Sequence, residues 1–227
     1  MYEYATGLLR VLEKRILSQN DFERMSGAKT AAEAFKVLND TDYADNLLNL
    51  KPEKYEKALK LDEKDLKKLF KKIVENQKLL QFLFLKDDFL NLKLYFKKKF
   101  GKIDANLRMN ANDANKTDAN PRMNANIANK VVEKLKKLKK ITPRKIDEIC
   151  DLELYKERKN IAKKLRDKFL QKINKKDLDL NYDLEFIKTE ARNYAYGSPI
   201  ILEYYYKKLD AERKIRMIMN QKLNRCE

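Results

Sequence analysis

The chain contains no histidine and no tryptophan, and only four glycines, four prolines and two cysteines among 227 residues. Each scarcity excludes something. Without histidine there can be no Ser-His-Asp triad, Cys-His dyad or HExxH zinc site. Cys150 and Cys226 form no CxxC pair and have no histidine to complete a zinc site, so no metal is expected, and two isolated thiols fit a reducing cytoplasm. All-β folds need a turn about every ten residues, and so few turn residues cannot supply them. The longest apolar run, Leu79–Leu85, falls well short of the ~20 residues that span a bilayer. The first residues include an acid and no apolar stretch, which argues against a signal peptide. Neither a GxGxxG nor a GxxxxGK[ST] loop occurs, so no nucleotide site of the usual kinds and no cofactor is expected.

What remains is rich in Leu, Lys, Glu and Ala, and the expected fold class is all-α. The formal net charge is +17, with a pI of about 9.6. One reading is a nucleic-acid partner, since Lys and Arg neutralise phosphates. The other is compositional bias: most of the positive charge is lysine, asparagine is abundant, and basic composition speaks to partners and solubility rather than fold. The lysine runs at Lys97–Lys99 and Lys134–Lys140 lack arginine clusters and any recognised nucleic-acid-binding pattern. Solvated helix faces explain them more simply than nucleic acid or acidic lipid.

Three blocks are expected: an N-terminal helical domain over 1–101, an Asn/Ala-rich flexible spacer over 102–129, and a C-terminal helical domain over 130–227. In the first, a helix is expected over Tyr2–Leu17, then a short one capped by Ser18 or Asn20, then one opened by a Thr30/Glu33 capping box and running to about Leu38. Pro52 suits the first turn of the longest helix, read to about Leu85. There Leu59, Leu66, Ile73 and Leu80 recur every seven residues, a coiled-coil-like seam whose second series Asn76 breaks. A further helix ends at Gly101. The spacer holds the unit DANLRMNAN and, fourteen positions on, DANPRMNAN. Its Asn and Asp side chains compete for the backbone, so a helix is disfavoured. In the third block, Thr142 with Pro143 opens a helix, a break falls near Asn174, a helix spans about Leu180–Ala195 with Gly197 ending it, and Ser198–Pro199 starts the last helix.

On that last helix Leu202, Tyr205, Leu209, Glu212, Arg216, Met219 and Leu223 share one face. A Glu and an Arg one turn apart inside an apolar stripe must pair with each other or with another element. They are read as a structural ion pair between helices or as a partner contact. The carboxylate pairs Asp87–Asp88 and Asp177–Asp179 are read as helix-start acids favoured by the dipole, and no catalytic residue is expected.

Three stretches resemble the C subunit of the V-type and A-type ATPases, called the d subunit in eukaryotic V-ATPases. The opening, Tyr2 to Leu47, looks like the family's start. FLFLKDDFLNLKLYFKKKF is similar to its "DxxNLK" helix, with Asp88, Asn91, Leu92 and Lys93 matching. The stretch from Tyr182 to Asn224 looks like its ending, with Tyr204, Lys208, Ile215, Arg216, Ile218, Met219, Lys222 and Asn224 matching. Asp151–Arg158 also resembles a "LDxxYyer" helix start. The family's "KExE" glutamates fall on Leu209 and Ala211, and its glycine before the final lysine on Gln221. The resemblance implies a shortened member, with the repeat standing where a middle domain would continue. It implies a non-catalytic central-stalk subunit on the cytoplasmic face of the membrane. Its partners would be the other central-stalk subunits and the proteolipid ring, in proton or sodium transport, with no small-molecule substrate. Asp88, Asn91, Lys93, Tyr204, Lys208, Glu212, Arg216 and Lys222 are the expected interface or structural residues. A basic nucleic-acid-binding protein, or a paralogue that kept the helices without the coupling role, is the alternative.

Overall fold

The computed structural model describes residues 2–47, 50–100, 121–138, 141–172 and 180–224, and among them there are helices and no strand. The chain is all-α, as its composition requires. Contacts divide it into two compact units, Met1–Gln77 with Asp179–Glu227, and Lys78–Leu178. This division cuts the chain differently from the linear blocks, because the last helix packs with the first.

In the first unit, α1 (Glu3–Glu13) is shorter than expected: tight turns at Lys14, Arg15 and Ile16 replace its last turn. Ser18 opens α2 (Gln19–Gly27) with a complete capping box, its hydroxyl accepting from the Asp21 N–H while Asp21 accepts from the Ser18 N–H. Thr30 caps α3 (Ala31–Val37) by accepting from the Glu33 N–H; Glu33 reaches back to the Lys29 N–H rather than to Thr30. After α4 (Ala44–Leu47), Pro52 begins a 3-10 turn leading into α5 (Tyr55–Ile73).

The expected continuous helix to Leu85 is not there. Val74 adopts extended backbone, and the chain restarts as α6 (Gln77–Phe100). Seven-residue spacing alone cannot tell one long helix from two, and the break falls beside Asn76, where the seam's second series fails. The restart comes at the boundary between the compact units. Asp87 and Asp88 therefore lie inside α6, not at a helix start.

The second unit holds α6 from Lys78, α7 (Pro121–Lys136), α8 (Pro143–Leu165) and α9 (Lys168–Lys172). α7 enters the repeat: PRMNAN, the end of its second copy, is helical. Pro121 presets φ for the first turn, and Ile127, Val131 and Leu135, one turn apart, are all buried. Packing of that stripe overrides the weak propensity of asparagine. The rest of the repeat, like Gly101, Asn174 and Asp177–Asp179, lies outside the described residues. α8 is capped by Thr142, has Pro143 in its first turn, and stops at Arg166 in the left-handed region at φ 54°. Cys150 is a packed core thiol, pushed up to about 11 by burial.

The chain returns to the first unit as α10 (Leu180–Ala191) and α11 (Ser198–Asn224). Gly197 does not end α10, which stops at Ala191. At φ 112° it opens α11 instead, its carbonyl accepting from the Ile201 N–H. α11 packs against α1, α2, α3, α5 and α10. Every residue from Ser198 to Tyr206 is buried, so the helix carries no single apolar face there. Ala211, Ile215, Ile218 and Met219 complete the core formed by Phe22, Met25, Phe35, Tyr43 and Leu59.

Candidate interaction site along the last helix

α11 carries charged side chains into its packed surroundings at four levels. At the first, Glu203 accepts from Arg10, and Lys207 donates to both Glu203 and Glu13. Arg10 also meets Glu13 at 2.7 Å, so four charges tie α11 to α1.

One level on lies Lys208, 2 % exposed, whose Nζ is 2.6 Å from Asp42 Oδ2 and 2.9 Å from Asp62 Oδ2. It also sits 4.2 Å over the Tyr43 ring. The turn before α4 presents Asp42 and Tyr43. Thr41 Oγ1 donates to the Leu38 carbonyl at 2.6 Å and accepts from the Tyr43 N–H at 3.3 Å, folding the backbone back on itself. Burial raises the Asp62 carboxyl, and Lys208 opposes that rise. Tyr204, tilted against Phe70 with centroids 6.2 Å apart, has its phenol raised by the same burial and by Asp42 and Asp62.

At the third level Arg216 bridges Glu212, at 3.3 Å, and Glu56 of α5, at 3.3 Å. The pairing expected of Glu212 and Arg216 is thus made inside the chain and joins two helices. Glu212 is 2 % exposed, with Oε1 lacking a hydrogen-bond partner among the described residues. Burial pushes its carboxyl up to about 8, reinforced by Asp62 and Glu63 and opposed by Arg216. At the fourth level Lys222 donates to the carbonyls of Ser26 and Ala28 at 2.6 and 2.5 Å, capping the C-terminal end of α2.

Asp88, Asn91 and Lys93 belong to the other compact unit, on α6. Lys93 Nζ reaches Asp151 Oδ1 of α8 at 2.6 Å, and Lys97 reaches Asp147 at 2.7 Å, tying α6 to α8. Asp88 and Asn91 are half-buried.

Sequence reasoning missed Asp42, Asp62, Glu56 and the Arg10–Glu13–Glu203–Lys207 group. Asp62 carried a signal: it lies three residues after Leu59 and four before Leu66, a charge within an apolar stripe, as Glu212 is. Asp42 carried none, because it faces the cluster only through the Thr41 turn. Among the described residues, no group of three or more Cys, Asp and Glu could hold a metal ion, and no helix is long and apolar enough to cross a membrane.

Fold and site together define an all-helical protein whose buried charges tie one helix to several others. Residues 5–181 match the family model described as ATP synthase (C/AC39) subunit. The chain belongs to that family, the C subunits of the V/A-type ATPases. No curated protein and no solved structure matches the chain. The likeness of the last stretch to the family's ending falls wholly beyond the matched residues, which stop at Asn181.

Proposed function

We propose that this protein is a non-catalytic coupling subunit of a V/A-type rotary ATPase. It sits on the cytoplasmic face of the membrane against the proteolipid ring, receives the central stalk, and passes torque between them during proton or sodium transport. The family match over residues 5–181 carries the reading. The site adds support from mechanics. An element that transmits load must not slip internally, and breaking one partner of a buried ion pair costs about 3–5 kcal/mol. α11 holds one such buried tie, Lys208 to Asp42 and Asp62, with part-exposed ion pairs to α1 and α5 and a lysine-to-carbonyl hydrogen bond to α2 beside it. Tyr204, Lys208, Glu212, Arg216 and Lys222 act here as internal fastenings of the subunit, and Lys93 does the same between α6 and α8.

The test is a pull-down of the tagged protein from its own cells, analysed by mass spectrometry. Recovery of ATPase catalytic, stalk and proteolipid subunits is expected. A folded, soluble bait that recovers none of them overturns the reading in favour of a paralogue without the coupling role. Arg216→Ala is expected to lower complex recovery or the unfolding midpoint; if neither moves, Arg216 has no such part.

A further inference from the structure

Tyr4 and Val11 are the two most exposed large hydrophobic side chains among the described residues, at 74 % and 63 %. Exposed apolar residues scattered singly are ordinary, but these two share one face of α1. Gly7 and Leu8 stand between them at helical spacing, Gly7 exposed and Leu8 half-buried. Ala5 and Leu9 on the opposite face are buried. Arg10 and Glu13 tie the helix to Glu203 and Lys207 of α11. The inward face therefore holds the outward one in place.

Gly7 is out of character for the interior of a helix. Glycine is the poorest helix former after proline, and no contact within the chain accounts for it. A methyl group added at Gly7 would meet nothing within 4 Å. Gly27 and Gly197 stand at helix ends instead, the one closing α2 and the other preceding α11. In the middle of an apolar face, a residue without a side chain lets another backbone approach closely.

Charge selects what approaches. Glu3 opens α1 and Lys14 follows its last residue; both are exposed, and neither makes an ion pair among the described residues. At 3.6 residues per turn both fall within about 40° of Gly7 around the helix. The helix dipole alone favours an acid at the start and a base at the end, so these charges count only with the apolar face they flank. Tyr4 and Val11 are spaced evenly about Gly7 and Leu8, and the face is thereby complementary to itself. Turned about a two-fold axis through its centre, it sets Tyr4 against Val11 and Glu3 against Lys14, twice over.

We infer that the outer face of α1 is a docking surface for a second copy of this chain, the two helices lying antiparallel and crossing at Gly7. One face of an 11-residue helix covers well under the ~800 Å² per partner of a standard interface, so the pairing is weak and depends on concentration. Nothing in this face depends on the coupling role.

The test is sedimentation velocity of the full-length chain from about 5 to 500 µM, the range that so small an interface calls for. A shift from monomer to dimer is expected across it. Gly7→Gln fills the crossing point with a better helix former. It is expected to keep or raise the circular dichroism melting midpoint while weakening association about tenfold. Glu3→Lys and Lys14→Glu are each expected to weaken self-association about tenfold, because each sets like charges opposite one another at two symmetry-related points. Mixed in equal amounts, these two variants are expected to pair again, since one then carries only bases and the other only acids at the two positions. A change in the stability of α1 itself would not produce that rescue. Monomers over the whole range, a Gly7→Gln chain that associates as the parent does, or a mixture that fails to pair would each overturn the inference. A monomeric chain whose Val11→Glu variant recovers fewer ATPase subunits would overturn it too, by assigning the face to another protein.

Discussion

Lys208 occupies a position where an ammonium group survives only because two carboxylates and a ring face meet it. Removing it strands Asp42 and Asp62 against the core. Lys208→Met is expected to destabilise the first unit by about 3–5 kcal/mol, as uncompensated buried charge does, read from urea unfolding. Glu212 has a different consequence. Its carboxyl lies at 4.5 when free and is pushed up to about 8 in the fold. Folding therefore favours its protonated form. That contribution is complete below 4.5 and is lost as pH rises through about 8. Asp62, also raised by burial, acts in the same direction. The unfolding midpoint is expected to fall over this window, and Glu212→Gln to flatten the fall. Parallel slopes for both proteins between about pH 5 and 9 would show that Glu212 does not carry the effect. Glu212 and Arg216 were legible as a pair because both interrupt an apolar stripe. Glu56, which completes the bridge, looks in sequence like any other acid on a lysine-rich helix.

Among the elements, caps were more legible than lengths. Ser18, Thr30 and Thr142 each sit where their side-chain oxygen meets an N–H three residues on, a purely local interaction. Ser18→Ala is expected to cost about 1 kcal/mol, measured as a drop in unfolding midpoint, with Thr142→Ala similar. The heptad from Leu59 to Leu80 misled because periodicity reports which face is apolar, not whether the backbone is continuous. The repeat misled in the other direction. Asparagine weakens a helix by only tenths of a kcal/mol per residue, and the buried Ile127–Val131–Leu135 stripe outweighs that. Leu135→Ala is accordingly expected to cost about 2–5 kcal/mol, and an effect below about 0.5 kcal/mol would mean that α7 owes nothing to its packing.

For the whole molecule, the first compact unit draws on both ends of the described chain. Ala211, Ile215, Ile218 and Met219 of α11 sit in one core with α2, α3 and α5. A chain cut after Gly197 is expected to lose cooperative unfolding of this unit, because the N-terminal helices would expose the core that α11 covers. A sharp unfolding transition retained by residues 1–77 in the shortened chain would contradict this. By itself the sequence determined the helical class and the caps at Thr30 and Thr142, and narrowed the others to Ser18 or Asn20 and to a paired Glu212 and Arg216 with the partner left open, because periodicity, capping and one-turn spacing act within a few residues. Only the tertiary structure decided that the seam breaks at Val74, that part of the repeat is helical, and that Lys208 lies between Asp42 and Asp62. Those outcomes depend on contacts between residues far apart in the chain, where burial of charge and apolar surface outweighs local preference.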